Sequence, residues 1–267
     1  MHYVEWGIES GQTILLVHGN MRTSRSFDAV SKNIHIGNRV IAVDLRGHGE
    51  STWTKTGYQF DDKARDISNF LQGINLKDVV AVGHSSGAVA LIIASLINQK
   101  TFNRLILMEP MMVIDNQYNQ LIATRARRPR RTWTDTSELM ELLQSHPTTR
   151  KWRSDVMKDV VSFETYINDR GRVDMKWSHQ SLCYSTNEID RLDVLPFLDE
   201  LRLPILIIIS EENENRFKSV KALAENSDHI STILVERTGH NMYMERPRAV
   251  ANIIESFSSG QPIPARI

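Results

Sequence analysis

The amino-acid sequence predicts an α/β protein with a mostly parallel central sheet, helices on both faces of it and an inserted helical segment. Three observations carry that reading. Short apolar, β-branched runs recur along the chain, helix-period stretches lie between several of them, and the alternation stops over one long stretch between the two halves.

The first run, Thr13 to Val17, is rich in leucine and β-branched residues and stops at His18-Gly19-Asn20, which is the length of a buried strand. Arg39 to Val43 leads into Asp44, Val79 to Val82 into a turn at Gly83, and Arg104 to Met108 into Glu109-Pro110. Pro204 to Ile209 and Ser231 to Val235 complete the series. Asp61 to Leu71 carries Ala64, Ile67, Phe70 and Leu71 at helical spacing, and Ala88 to Ile97 reads as a second helix. Strands alternating with helices argue for a parallel sheet covered on both sides. Such sheets hold their reactive loops just beyond the carboxyl ends of the strands. His18, Asp44, Ser85, Glu109 and the acidic cluster after Ile209 all fall there.

From residue 112 to 190 the text is rich in arginine, tryptophan and threonine, with helical patches such as Thr136 to Leu143. That is too long for a bare loop, so it reads as a helical cap inserted between two parts of one core, 1–111 and 191–267. The tail from Ser258 to Ile267, with Pro262 and Pro264, reads as irregular.

A chain of 267 residues can bury one sizeable core, so one domain with an insertion is the expectation. Lysine and arginine total 32 and so do aspartate and glutamate. No overall field then draws the molecule to nucleic acid or to an anionic membrane, and a small-molecule partner is expected. The single cysteine, Cys183, rules out an internal disulfide and reads as a buried thiol in a reducing, cytoplasmic setting. No basic region followed by an apolar stretch opens the chain, and no apolar run approaches the length of a bilayer, which predicts a soluble, unprocessed protein without membrane insertion.

Gly83-His84-Ser85-Ser86-Gly87 has the form Gly-x-Ser-x-Gly and stands between the strand Val79 to Val82 and the helix from Ala88. A serine hydroxyl is a weak nucleophile, so chemistry requires it on a sharp turn that exposes its oxygen, with small neighbours that let strand and helix approach. The helix beneath it adds N–H groups and a positive dipole end for a developing oxyanion.

The chain resembles the α/β-hydrolase superfamily, and the resemblance covers nearly its whole length. It rests on His18-Gly19, on Asp44-Leu45-Arg46-Gly47-His48-Gly49-Glu50-Ser51, on Gly83 to Gly87, and on Gly239-His240 followed by Glu245-Arg246-Pro247. It implies the α/β-hydrolase fold, a serine nucleophile at Ser85 and a structural role for Asp44, Arg46 and His48.

Of the nine histidines only His240 follows the last strand-like run, in a loop that can bring its ring to the sheet edge beside Ser85. In the family pattern this histidine takes the proton from the serine. A carboxylate must hold the imidazole in the right tautomer. Most relatives supply an aspartate three residues past a glycine, after the strand matching Pro204 to Ile209. Here the turn reads Ser210-Glu211-Glu212-Asn213-Glu214, so the glycine is Ser210 and the acid position is Asn213, which cannot serve. Glu109 is the first choice instead, with Glu214 and Glu212 as alternatives. Haloalkane dehalogenases are family members with a glutamate after a methionine at this strand end, and their His-Gly-Asn motif is similar to His18-Gly19-Asn20. Their aspartate nucleophile is here a serine, which excludes alkyl-enzyme chemistry and favours acyl transfer.

The resemblance further implies the N–H groups of Asn20 and Ser86 as oxyanion donors. Met21, Met111 and Trp133 are placed with the substrate, Met112 and Met242 being further pocket candidates. Trp133, Trp152, Phe163, Tyr166, Trp177 and Tyr184 can line a pocket or form the insertion's own core. Arg125, Arg127, Arg128, Arg130 and Arg131 form either a solvated face or a grip on a substrate anion. The function expected is a serine esterase, thioesterase or lactonase needing no cofactor or metal. A C–C bond hydrolase, a cofactor-free dioxygenase and a small-molecule receptor on the same fold are the alternatives.

Overall fold

The computed structural model describes residues 1–115, 120, 124, 128–184 and 191–267. Seven strands form the central sheet: β1 (Tyr3–Gly7), β2 (Thr13–Val17), β3 (Arg39–Val43), β4 (Val79–His84), β5 (Phe102–Met108), β10 (Ile205–Ser210) and β11 (Ile230–Val235). Their order across the sheet is β1-β3-β2-β4-β5-β10-β11. All neighbours are parallel except β1, which pairs antiparallel with β3 and was not anticipated from the sequence.

Both faces of the sheet are buried, and the period of two sorts the side chains between them. Ile14, Leu16, Val80, Val82, Ile106, Met108, Leu206 and Ile208 join one hydrophobic cluster. Their sequence neighbours Leu15, Val17, Val79, Ala81, Leu105, Leu107, Ile205 and Ile207 join the other. This double burial is why the central strands read as unbroken apolar runs.

The connecting helices follow the expected periodicity. The short α1 (Asp28–Ser31) and the longer α2 (Phe60–Gly73) precede β4, and α3 (Ser86–Ile97) follows it. In α2 the buried side chains are Phe60, Lys63, Ala64, Ile67 and Leu71, one helical face on which a lysine occupies a core position.

Between β5 and β10 the chain leaves the sheet. Its described elements are β6 (Val113–Asp115), α4 (Thr136–Ser145), α5 (Ser154–Phe163), β7 (Thr165–Ile167), β8 (Val173–Met175), α6 (His179–Tyr184), β9 (Arg191–Asp193) and α7 (Leu195–Glu200). β6 pairs antiparallel with β9, so the segment departs and returns at one place. It is fastened to the core by Gly49 N–H on the Lys176 carbonyl at 2.7 Å and Ser178 N–H on the Gly47 carbonyl at 2.6 Å. The chain closes with α8 (Lys218–Glu225), β11, α9 (Met242–Glu245) and α10 (Pro247–Ser258). Among the described residues no helix is long and apolar enough to cross a membrane.

Candidate active site

β4 runs straight into Ser85, whose φ of 52° and ψ of −117° lie where side-chain-bearing residues seldom go, and α3 starts at the next residue. The turn is this tight because nothing larger than hydrogen fits around it. A Cβ on Gly87 would stand 2.3 Å from the His18 carbonyl oxygen, and one on Gly19 would stand 3.1 Å from Ser85 Cβ. The loop after β2 therefore crosses directly over Ser85. Ser86 Oγ donates to Asn20 Oδ1 at 3.0 Å, joining that loop to the start of α3. Among the described residues the backbone N–H groups of Asn20 and Ser86 have no acceptor, so both can receive a developing negative charge.

Glu109 leaves the adjacent strand at the same level. His84 and Met108 are register partners, so Ser85 and Glu109 are the residues that follow a matched pair, and Ser85 N–H donates to the Met108 carbonyl at 2.9 Å. Glu109 has a φ of 43°, which turns its side chain along the strand ends toward β10. There it is 3% exposed and fully satisfied. Oε1 accepts from the N–H of Ser210 at 3.1 Å and from the Ser210 hydroxyl. Oε2 accepts from Asn213 Nδ2 at 2.8 Å and lies 2.6 Å from His240 Nδ1. Burial alone would raise the carboxyl's proton affinity, but the bond and charge of His240 together with the two Ser210 bonds hold it below the usual carboxylate range. An ionised Glu109 accepts the Nδ1 proton, which leaves His240 Nε2 as the atom able to take one.

His84 packs between His240 and Tyr243, with ring centroids 4.6 and 4.9 Å away. Its Nε2 lies 2.8 Å from the His240 carbonyl oxygen, and burial holds its proton affinity well below that of an ordinary histidine. Ser85 thus stands one residue beyond a ring that touches His240. Among the described residues no hydrogen bond joins Ser85 Oγ to the His240 ring.

The histidines of the neighbouring loops are structural. His18 Nε2 accepts from Leu45 N–H at 3.0 Å, and burial lowers its pKa to about 4. His48 Nε2 accepts the N–H of Met21 at 3.3 Å, which anchors a loop residue held at a φ of 64°. Asp44 is buried on the N–H groups of Ser24 and Glu50 and on His2 Nδ1. Among the described residues no three His, Cys, Asp or Glu side chains are grouped to hold a metal ion.

The remaining expected residues divide. Glu212 and Glu214 do not reach His240: the first pairs with Lys151 and the second lies 2.5 Å from Lys221. Trp133 is corrected from a substrate contact to a packing residue. At 6% exposure it shares a core cluster with Leu139, Leu143 and Trp152 and exchanges backbone bonds with Val173. Met111 and Met112 are half-buried against the opposite cluster, Met242 is buried, and Met21 is 40% exposed. Arg130 is committed to Asp174 at 2.6 Å and to the Trp177 carbonyl, while Arg131 lies over Trp133. Arg125 and Arg127, and the side chains of Cys183 and Tyr184, lie outside the described residues.

Sequence reasoning missed the part played by Ser210 and Asn213, and it missed Arg22 with its partner Glu164. Ser210 and Asn213 read only as departures from the family pattern, yet both donate to Glu109; that they depart together was the signal. Arg22, two residues beyond Asn20, lies 3.4 Å from Glu164, which is fully buried and whose pKa burial raises to about 7.

The chain matches the sequence model of the alpha/beta hydrolase family over residues 14–253. A stretch of 86 residues, 32% of the chain, is 37% identical to the non-heme chloroperoxidase CPO-A1 of Kitasatospora aureofaciens. A stretch of 87 residues, 33% of the chain, is 36% identical to a haloalkane dehalogenase of Mesorhizobium japonicum. These stretches span 30% and 28% of the two relatives' own lengths. Among solved structures, that of E-2-(acetamidomethylene)succinate hydrolase superposes with a TM-score of 0.84 over 96% of this chain and 94% of its own, at 20% identity. At that identity the likeness speaks for the fold alone.

Proposed function

The chain belongs to the alpha/beta hydrolase family, and from that premise we propose that it is a cofactor-independent serine hydrolase of a small-molecule carboxylic ester, thioester or lactone. The observation that carries the reading is the 2.6 Å contact between Glu109 and His240 at the strand ends beside the strained Ser85 turn. A buried, ionised carboxylate on Nδ1 fixes the tautomer whose Nε2 can accept a proton. That arrangement serves a hydroxyl nucleophile, and Ser85 is the half-buried hydroxyl held on the turn between buried His84 and Ser86.

In this reading Ser85 Oγ attacks the substrate carbonyl as His240 Nε2 takes its proton. The tetrahedral oxyanion is received by the N–H groups of Asn20 and Ser86, which have no acceptor among the described residues. Its collapse expels the alcohol, thiol or ring oxygen, which His240 protonates, and leaves an acyl group on Ser85. Water then attacks with His240 again as base, releasing the acid. The open geometry between Ser85 and His240 is usual before substrate binds, since such contacts tighten in the complex.

Treatment with an active-site fluorophosphonate followed by mass spectrometry tests the mechanism. One adduct on Ser85 is expected, absent from Ser85→Ala; labelling that survives this substitution sinks the assignment. A panel of p-nitrophenyl esters of graded acyl length, with a lactone and a thioester, then identifies the substrate class.

A further inference from the structure

Glu109 follows β5, one strand from β10, and two residues at and just beyond the end of β10 both turn toward it. Ser210 and Asn213 supply three of its four donors. The two do different work. Ser210 grips Oε1 from the end of β10, while Asn213 reaches the oxygen that His240 also uses.

We propose that Asn213 is a positioning residue of the hydrolytic site, which fixes the rotation of the Glu109 carboxylate and divides the charge on Oε2 between itself and His240. The proposal rests on the reading of Ser85, His240 and Glu109 given above. The terminal torsion of a glutamate is broad and roughly two-fold, and its two oxygens turn together, so bonds on Oε1 alone resist rotation of the carboxylate plane from one side only. A donor on Oε2 from Asn213 narrows that torsion from the other side. The atom facing Glu109 must be Nδ2, because an ionised carboxylate only accepts and the side-chain oxygen of Asn213 would repel it.

The same geometry sets an aspartate at this position against Glu109. A carboxylate on residue 213 would stand at hydrogen-bond distance from Glu109 and bring a second negative charge beside His240. Asparagine keeps the shape, supplies a donor and adds no charge. The glutamate on β5 and the amide on the β10 side therefore form one unit.

The other charged and titratable groups around His240 stay in place when Asn213 is changed. His84 faces it from β4 and is kept neutral by burial, with Tyr243 behind it and the charge of Arg22 reaching His84. Glu245 accepts the Gly239 N–H at 3.0 Å, and Glu212, against the same glycine, is paired with Lys151.

The test compares Asn213→Asp and Asn213→Leu with the wild-type enzyme in two measurements. In the pH profile of kcat/KM for p-nitrophenyl acetate, the acid limb moves up by about 0.5 pH unit in Asn213→Leu, which loses the competing donor, and by about 1 unit or more in Asn213→Asp, which adds charge. KM stays within about twofold while kcat falls, because the contact lies behind the imidazole and not against the substrate. By proton NMR the low-field resonance of His240 Nδ1–H, absent in Glu109→Gln, changes position in both variants. A purely structural Asn213 would lower the melting temperature and leave the acid limb and the resonance unmoved, which would overturn the proposal. Asn213→Asp is nearly isosteric, so it decides the matter if Asn213→Leu does not fold. Failure of wild-type Ser85 to react with a fluorophosphonate would instead overturn the underlying hydrolase reading, and the NMR arm stands apart from that.

Discussion

Replacing Lys63 with methionine raises the stability of this protein at neutral pH. Lys63 lies on the inner face of α2 with no exposed surface, and its Nζ has no hydrogen-bond partner among the described residues. Burial, helped by the charge of Arg46 and opposed by that of Asp62, lowers its pKa from 10.5 to about 8. At about 1.4 kcal/mol per pH unit, keeping this amine charged in the folded state costs about 3 kcal/mol at pH 7. The ammonium lies 5.2 Å from the centroid of the Phe60 ring, an attraction that offsets about 1 kcal/mol and is lost with the charge. Lys63→Met, similar in length and uncharged, should therefore gain about 2 kcal/mol, or about 4 to 8 °C in melting temperature for a chain of this size. The sign of the pH dependence follows from the lowered pKa. Between pH 8 and 10.5 the folded lysine has lost a proton that the unfolded one still holds, so wild-type stability rises with pH across that window and the penalty is full below it. Urea denaturation of both proteins at pH 7, 9 and 10.5 should show the gap between them closing as pH rises. A wild type more stable than Lys63→Met at pH 7, or a gap that stays constant with pH, refutes the reasoning.

Two more predictions follow from the buried carboxylates. Glu109→Gln should lower turnover about a thousandfold or more by disturbing the His240 tautomer, while Glu214→Gln, which loses only a half-exposed pairing with Lys221, should stay within about twofold; steady-state kinetics on any ester the wild type cleaves reads both, and the reverse ranking would hand the acid's role to Glu214. Burial raises the pKa of Glu164 from 4.5 to about 7, so the folded state keeps a proton that the unfolded chain releases, and wild-type stability falls as pH rises through that window. Against Glu164→Gln, which has no such slope, the wild type should lose about 3 kcal/mol of relative stability between pH 4.5 and 7.5 in urea titrations, and parallel curves would contradict it.

Most of the sheet was readable because its interior strands are buried on both faces, which forces unbroken runs such as Thr13–Val17 and Ile205–Ser210. β1 escaped notice for the converse reason. It is an edge strand, and its exposure alternates through Tyr3-Val4-Glu5-Trp6 without ever reaching full burial. The hairpin of β7 and β8 has three-residue strands, too short to display any period. Trp133 could not be placed from sequence because an indole that fills a core and one that lines a pocket look the same in one dimension. The places of Ser85 on a turn between β4 and α3 and of His240 in the loop after β11 were legible because the turn motif and the order of strands both constrain them. Glu109 was the first choice over Glu214 and Glu212 from its strand end and the resemblance to haloalkane dehalogenases, but its donors were not legible, since they depend on β5 lying beside β10 with Met108 level with Ile208. That pairing is a tertiary fact with no local signature.

The Glu109 carboxylate draws its donors from positions 101, 104 and 131 residues further along the chain. A polypeptide emerging from the ribosome therefore carries Ser85 and Glu109 long before it carries anything able to satisfy that charge. Until residue 240 has been made and the last strands have closed against β5, the carboxylate must stay in water, because burying it bare would cost more than the edge of the sheet could return. Burial of Glu109 is in this way tied to the synthesis of residue 240: a shorter copy holds Ser85 and Glu109 but lacks the donors that satisfy the carboxylate.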